Sequence, residues 1–354
     1  MNPVFPLPLR APRRALPNAV TLAHGGGGSA MRDLVDEVFI DTFNGTTGAP
    51  EDQARFDLAG LMAKGDRLAF TTDGFVVDPL FFPGGDIGKL AVCGTINDLA
   101  VGAARPVALS CAVIIEEGLP LETLRAVARS MADAAHAAGV PIVTGDTKVV
   151  ARGACDKLFI VTTGIGVVRT GMDVGIGRAQ PGDVVLVNGQ LGDHGAAILN
   201  ARGDLALEAE IESDCAALHD LIDALITAAP GVRTLRDATR GGVAAVLNEL
   251  ASASGVGVRI RELDTPIRSD VQGFCEILGL DPLYLANEGK IVAVVPPDQA
   301  EAALHGLRGH PLGRDAARIG VVTDGRPGRV VMETRFGGER IVDMLVGDQL
   351  PRIC

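Results

Sequence analysis

The feature that most constrains the fold is an alternation of strand-like and helix-like sequence patterns along the chain. Runs rich in β-branched and aromatic residues, such as 67–72 and 158–168, predict strands. Between such runs, the Ala- and Leu-rich segments 88–101 and 121–138 carry apolar residues at helical spacing. A Gly-rich break at 169–181 separates two such series. The pattern predicts an α/β (α+β) chain of two lobes, and a length of 354 residues is more than one core usually fills.

The same patterns divide the chain into four predicted parts. Residues 1–20 are rich in Pro and Arg and are predicted to be a disordered extension. Residues 21–172 form a first α/β domain, and residues 173–334 form a second. Residues 335–354 are predicted to be a flexible tail that carries Cys354, because an untied terminus is usually mobile.

Charge and composition exclude two classes of partner. Lys and Arg number 32 against 44 Asp and Glu, and the net charge of -12 opposes binding to nucleic acid or to anionic lipid. Aromatic residues make up 3%, which leaves few platforms for stacking bases. The six cysteines contain no C-x-x-C pair, and the apolar runs are too short to span a bilayer. We therefore predict a cytoplasmic protein with reduced thiols and without nucleic-acid or membrane partners.

A glycine run follows His24 at residues 25–28. Its backbone N–H groups could curl around an anion, which is typical of a loop that covers phosphate. A simple linker is the alternative. The run matches neither the Walker pattern nor the Rossmann fingerprint, so a nucleotide bound here would require a different fold.

Several acidic residues lie at the ends of predicted elements. Asp73 follows an apolar run, and Asp86, Asn97 and Asp98 surround a helical segment that begins near Gly88. Mg²⁺ prefers a few carboxylates together with phosphate oxygens and waters, so this pattern indicates a site for Mg-ATP. The alternative is helix capping, above all for Asp86.

Three further polar turns could carry chemistry. Asp146 and Lys148 follow a predicted strand and could bind metal and phosphate, or form an ordinary turn. Asp237 precedes a glycine-rich helix start, which favours a phosphate contact or a capped helix. Glu288 could act as a general base if burial raises its pKa, or be an exposed turn residue. His194, in a Gly-Asp-His-Gly turn, is the histidine of greatest interest.

Cys354 is the last residue of the sequence. A thiol at a chain end can reach places that a core thiol cannot, so it is a candidate carrier of a chemical group. The alternative is an ordinary thiol, because a cysteine without a perturbing partner is not specially reactive.

Taken together, the motifs closely resemble the HypE family, the carbamoyl dehydratases of nickel-iron hydrogenase maturation. That family belongs to the superfamily of aminoimidazole ribonucleotide synthetase and selenophosphate synthetase. The motifs that carry the resemblance are HGGGG at 24–28, TTDGFVVDPLFFPGGDIGKLAVCGTIND at 71–98, TGDTK at 144–148, GDHG at 192–195, RDATRGG at 236–242, ANEGK at 286–290 and PRIC at 351–354.

The resemblance implies a two-domain synthetase-like fold in which the N-terminal mixed sheet pairs with that of a second subunit to form a dimer barrel. It implies ATP and Mg²⁺ near the dimer interface. The residues implied to bind the nucleotide are Gly25, Gly26, Gly27, Asp73, Lys89, Asn97, Gly145, Asp146, Thr147 and Asp237. The residues implied to bind metal are Asp73, Asp86, Asp98 and Asp146.

The resemblance also implies a reaction. The carbamoyltransferase HypF loads a carbamoyl group on Cys354, and ATP phosphorylates the amide oxygen. Loss of phosphate then leaves a thiocyanate, whose cyanide passes to iron held by a HypC-HypD complex. Glu288 is the expected base and Lys148 the group that polarises the carbonyl. The chain departs from the family pattern in its N-terminal extension and in Gly74, where many relatives have Ser.

The sequence is also compatible with two other functions. One is an ATP-dependent synthetase that activates a free small molecule, for which Cys354 would be dispensable. The other is a nucleotide-sensing scaffold without turnover.

Overall fold

A computed structural model describes residues 16–43, 53–203, 210–345 and 353–354. The helices are α1 (Ser29–Leu34), α2 (Asp41–Phe43), α3 (Leu58–Met62), α4 (Ile87–Val101), α5 (Leu121–Ala138), α6 (Asp193–Ala201), α7 (His219–Ala228), α8 (Gly242–Ser254), α9 (Ser269–Leu278) and α10 (Ala300–Arg308). The strands are β1 (Arg67–Phe75), β2 (Phe81–Phe82), β3 (Gly85–Asp86), β4 (Ala104–Glu116), β5 (Ile142–Val150), β6 (Leu158–Val168), β7 (Val184–Val187), β8 (Thr234–Asp237), β9 (Gly257–Arg261), β10 (Ile291–Val295), β11 (Ala317–Thr323), β12 (Val330–Glu333) and β13 (Glu339–Val342).

The first sheet is mixed and has the strand order β1-β6-β4-β5. The β4 and β5 strands run parallel, whereas β6 pairs antiparallel with both β1 and β4. Helix α4 packs on one face of this sheet, and α5 packs against α4. Because the sequence of α4 is apolar nearly all round, the helix is stable only when it is buried on every side.

In the described part of the chain, the other face of the first sheet is exposed. Its large apolar side chains include Leu68 and Phe70 of β1 and Val161 of β6, and Phe70 is 73% exposed. Exposed apolar surface of this kind marks a site of interaction.

The second sheet has seven strands in the order β13-β12-β9-β11-β7-β10-β8. Along β7, Val185 and Val187 face a core shared with α8, while Val184 and Leu186 face a core shared with α7 and α10. A central strand covered on both faces must be apolar throughout, which is the sequence pattern of β7. Helix α4 contacts both α7 and β8, so it joins the two sheets.

The predicted two-lobe α/β fold is confirmed. The strand predicted at 158–168 and the helix predicted at 121–138 have those bounds in the structure. The strand predicted at 67–72 is longer in the structure, where β1 continues through Phe75.

The predictions for the chain ends are wrong in part. Residues 1–15 lie outside the described residues, but Val20 is buried and its N–H donates to the Leu119 carbonyl over 2.9 Å. Burial and main-chain pairing therefore order the chain before residue 21. The predicted flexible tail begins too early, because β13 pairs with β12 at the edge of the second sheet. The tail residues 346–352 lie outside the described residues, whereas Ile353 and Cys354 are described.

Among the described residues, no helix is both long enough and apolar enough to cross a membrane.

Candidate active site between the two sheets

Four acidic side chains from different elements meet in the cleft between the sheets. They are Asp73 of β1, Asp98 of α4, Asp237 at the end of β8 and Glu288 in the turn before β10. Asp98 accepts a hydrogen bond of 2.8 Å from the Thr71 hydroxyl. We call these four residues the acidic cluster.

Strand register explains why Asp73 faces this cleft. Its partner on β6 is Thr162, which is fully buried. The Thr162 hydroxyl donates to the main-chain oxygen of Ala91 in α4 over 3.0 Å. Paired residues lie on the same side of a sheet, so Asp73 lies on the α4 side.

Burial and nearby acidic groups raise the pKa of three members of the acidic cluster. Burial, followed by the charge of Asp98, raises the pKa of Asp237 to about 6. Burial and Asp98 raise the pKa of Asp73, against the opposing charge of Arg240. Burial and nearby acidic groups, first Asp214, raise the pKa of Glu288 well above its ordinary value. Mutual repulsion of this kind is relieved when a cation binds.

The acidic cluster fits a cation whose other ligands are phosphate oxygens and waters. No group of three or more acidic, His or Cys side chains in the described part of the chain is arranged as a preformed metal cage. Mg²⁺ bound to a nucleotide needs only one or two carboxylates, because phosphate oxygens and waters complete its coordination. The carboxylates of Asp73, Asp98 and Asp237 meet that requirement.

Glu288 is 3% exposed, and its Oε1 atom has no hydrogen-bond partner among the described residues. Its backbone is fixed by Asp214, whose carboxylate accepts from the N–H of Glu288 over 2.9 Å and from that of Gly289 over 3.1 Å. Lys290 Nζ lies 2.9 Å from the same carboxylate. Although burial opposes it, Lys290 and these N–H groups lower the pKa of Asp214. Glu288 is therefore a buried carboxyl held on a rigid turn.

The end of the chain docks beside the acidic cluster. The Ile353 side chain is 4% exposed and belongs to the core of the first sheet, against which Cys354 packs. The Val76 N–H donates to the main-chain oxygen of Cys354 over 3.1 Å. Val76 is three residues from Asp73, which is about 10 Å along an extended chain. The described residues 353–354 are thus tucked into the molecule.

A second polar group lies on the opposite face of the first sheet. Asp146 pairs with Ala112 of β4, a position that alternates with those facing α4. Lys148 lies 2.7 Å from the Asp146 carboxylate, and its side chain is 62% exposed. Hydrogen bonding from Lys148 lowers the pKa of Asp146. The predicted grouping of Asp146 and Lys148 with Asp73 and Glu288 is therefore not made within one chain.

The glycine run contacts the same strand, β5. A Cβ on Gly25 would be 3.0 Å from the Val149 Cβ, which points to the α4 side of β5 and not to the side of Asp146 and Lys148. Gly27 has a φ of 75°, which favours glycine, and Cβ atoms at Gly27 and Gly28 would have nothing within 4 Å among the described residues. We call the glycine run and the Asp146–Lys148 pair, which both lie along β5, the β5 site.

Other predicted site residues have structural roles in this chain. Asp86 caps α4 by accepting from the N–H groups of Gly88 and Lys89 over 2.7 and 3.3 Å, which is the capping alternative. Lys89 Nζ donates to the Gly84 carbonyl over 2.8 Å. A Cβ on Gly145 would be 2.2 Å from the Cys111 carbonyl oxygen, so close packing requires glycine there.

Asn97 and Thr147 also face inward. Asn97 accepts from the Leu218 N–H over 2.7 Å and donates to the Ala216 carbonyl over 3.0 Å, which ties α4 to the segment before α7. Thr147 is buried on the α4 side of β5.

Of the predicted site residues, the structure brings four together, which are Asp73, Asp98, Asp237 and Glu288. Asp214 was missed, because no local pattern marks residues 210–217.

Family models match most of the chain. The N-terminal domain of AIR synthase related proteins matches residues 50–168, and the C-terminal domain of the same proteins matches residues 180–333. The fold and the cleft between the two sheets therefore define a protein of the AIR synthase related class.

Individual relatives place the chain within that class. It is 60% identical to the carbamoyl dehydratase HypE of Rhodobacter capsulatus, over 95% of this chain and 98% of that protein. It is 55% identical to the carbamoyl dehydratase HypE of Escherichia coli K12, over 95% of this chain and all of that protein. The chain belongs to the HypE family of carbamoyl dehydratases, which are enzymes.

Solved structures agree. A crystal structure of HypE in complex with ATP matches with a TM-score of 0.88 and 48% identity, over 94% of this chain and 99% of that one. HypE in a HypE-HypF complex matches with a TM-score of 0.77 and 47% identity, over 88% of this chain and 99% of that one.

Proposed function

We propose that this chain uses ATP to dehydrate a carbamoyl group on the Cys354 thiol to a thiocyanate, which supplies cyanide for the iron of nickel-iron hydrogenase. The observation that carries the proposal is the docking of residues 353–354 at the end of β1, beside the acidic cluster. Membership of the HypE family supports the same conclusion.

The chemistry has a clear requirement. An amide oxygen leaves poorly as hydroxide, so it is first phosphorylated by ATP and then departs as phosphate. The overall change converts the S-carboxamide and ATP into the thiocyanate, ADP and phosphate, and the amide nitrogen loses both protons. Glu288 takes a proton from that nitrogen, because a carboxylate with a raised pKa is a stronger base than an exposed one.

The residues that would hold Mg-ATP follow from the geometry. Asp73, Asp98 and Asp237 would hold Mg²⁺, which neutralises phosphate charge when it is bound. The backbone of Gly27, which has open space around it among the described residues, would cover phosphate oxygens.

A homodimer would complete the site. The open face of the first sheet carries Leu68, Phe70 and Val161, and a second copy packed on it as a dimer barrel would bury them. We propose that this packing brings the β5 site of one subunit to the acidic cluster of the other. Lys148 of the partner subunit would then polarise the carbonyl of the amide whose nitrogen Glu288 deprotonates.

Further partners follow from the reaction. We propose that the carbamoyltransferase HypF loads Cys354, for which the complex solved for a relative is support, and that a HypC-HypD complex receives the cyanide. All of these steps would take place in the cytoplasm.

The direct test is the mass of the C-terminal peptide after incubation with HypF and carbamoyl phosphate, before and after Mg-ATP is added. We expect a carbamoyl adduct on Cys354 that then loses one water. With an active HypF, absence of the adduct would instead favour a synthetase that acts on a free small molecule.

The shared site has its own test, which uses mixtures of inactive variants. Lys148→Ala mixed with Glu288→Gln should regain about a quarter of wild-type activity, because half of the dimers are mixed and each holds one intact site. Asp237→Asn mixed with Glu288→Gln is the matched control and should stay inactive, because both changes affect one cluster. Equal results from the two mixtures would contradict a site built from two subunits.

A further inference from the structure

His194 is the feature that the proposed chemistry leaves unused. It lies in the first turn of α6, and its ring is fully buried. The ring of Phe82 packs against it edge-on with centroids 5.5 Å apart. Its Nδ1 atom lies 2.8 Å from the Ser213 hydroxyl oxygen, and its Nε2 atom lies 2.8 Å from the main-chain oxygen of Ile353. The ring therefore bridges two segments that are far apart in the sequence.

The partners fix where the ring protons lie. A carbonyl oxygen only accepts, so Nε2 carries the proton that is donated to Ile353. Burial lowers the pKa of His194, which keeps the ring neutral and leaves Nδ1 as an acceptor. The Ser213 hydroxyl then donates to Nδ1 and accepts from the Cys215 N–H over 3.2 Å. This order of donors aims one N–H of the ring at Ile353.

Several contacts hold residues 353–354 in the cleft. They include the His194 hydrogen bond, the hydrogen bond from Val76 to Cys354 and the burial of the Ile353 side chain. The His194 hydrogen bond is supplied by a side chain, so a substitution can remove it. A hydrogen bond of this kind can be broken and remade without unfolding either sheet.

We propose that His194 is a latch that holds the end of the chain in the cleft and so positions the Cys354 thiol. His194 acts as a positioning residue through Ile353 and does not touch the reacting atoms. The docking role stands on the contacts alone, whereas its importance for dehydration rests on the proposed function.

Two substitutions of His194 separate the two ring nitrogens. His194→Gln places an N–H donor near the position of Nε2 and retains the bond to Ile353. His194→Asn is the matched control for polarity and folding, because its amide reaches only the position of Nδ1 beside Ser213.

The measurement is the rate at which iodoacetamide alkylates Cys354 in the full chain, followed by the mass of the C-terminal peptide. Cys155, which is half-buried and distant in sequence from the latch, is the reference thiol within the same molecule. Loss of one hydrogen bond should speed alkylation of Cys354 in His194→Asn about fivefold, while Cys155 is unchanged. His194→Gln should stay within about twofold of wild type.

Unchanged Cys354 alkylation in His194→Asn, or equal acceleration in both variants, would overturn the latch. If His194→Asn does not fold, Ser213→Ala carries the test, because it removes the hydroxyl that orients the His194 ring toward Ile353. Faster alkylation of Cys354 alone in Ser213→Ala supports the latch, and an unchanged rate overturns it.

The assay contains neither ATP nor a carbamoyl donor, so its result is independent of the proposed reaction. A released tail in His194→Asn together with a wild-type chain that never forms a carbamoyl adduct would keep the latch and refute the proposed function. In a carbamoylated protein, His194→Asn should slow dehydration and His194→Gln should restore it, a rescue that a general loss of structure would not give.

Discussion

Asp237→Asn should stabilise the protein at neutral pH although it removes a proposed ligand of Mg-ATP. The pKa of Asp237 rises from 3.8 to about 6, first because of burial and then because of Asp98. An acid with a raised pKa in the folded state destabilises that state once the pH exceeds its unfolded pKa. A rise of about two pKa units lowers the free energy of unfolding by about 3 kcal/mol if the group is fully shielded from solvent. Because Asp237 has partial solvent access, we expect a penalty of about 1.5 kcal/mol.

The stability gained by Asp237→Asn should depend on pH, because the penalty is present only where the carboxyl is ionised. The penalty begins near pH 4, where the unfolded carboxyl ionises, and is complete above pH 6, where the folded one ionises too. At pH 4.5 about a third of the full penalty is present. The gain in stability of Asp237→Asn should therefore fall to about a third between pH 7.5 and pH 4.5.

The assay is urea denaturation of both proteins at the two pH values, with EDTA present so that no divalent cation relieves the repulsion. Asp146→Asn is the matched control, because hydrogen bonding from Lys148 lowers the pKa of Asp146 and its side chain is 55% exposed. This control should change stability by less than about 0.5 kcal/mol. A loss of stability in Asp237→Asn at pH 7.5, or a gain that does not change with pH, would refute the electrostatic account of the acidic cluster.

Four further substitutions test other parts of the structure. Cys354→Ala should bind ATP with wild-type affinity in calorimetry and form no product; loss of ATP binding would contradict a carrier role. Asn97→Ala should lower the free energy of unfolding by about 2 kcal/mol, because buried main-chain groups such as the Leu218 N–H lose their partner; an unchanged denaturation midpoint would contradict this. Gly84→Ala should lower the thermal midpoint, because Gly84 has a φ of 88° and an added Cβ would lie 2.5 Å from a main-chain oxygen. Gly74→Ser should leave the thermal midpoint unchanged, because a Cβ at Gly74 meets nothing within 4 Å among the described residues.

The sequence alone determined the secondary structure and much of the cleft. Helix α5 and strand β6 match their predicted bounds because apolar periodicity is a local property. The sequence points to Asp73 because it follows an apolar run, and to Asp237 because it precedes a glycine-rich helix start. Glu288 was identified as a base on the condition that it is buried, and the structure meets that condition.

Tertiary structure alone decided which of these residues meet. In the sequence, Asp146 and Lys148 lie in a context similar to that of Asp73. Strand register nevertheless places their side chains on the opposite face of the first sheet. The sequence leaves Asp86 open to both capping and metal binding, and the structure shows that it caps α4. The contact between His194 and Ile353 joins residues 159 positions apart. Local sequence patterns fix only what neighbouring residues do, whereas contacts of this length depend on how whole sheets and helices pack.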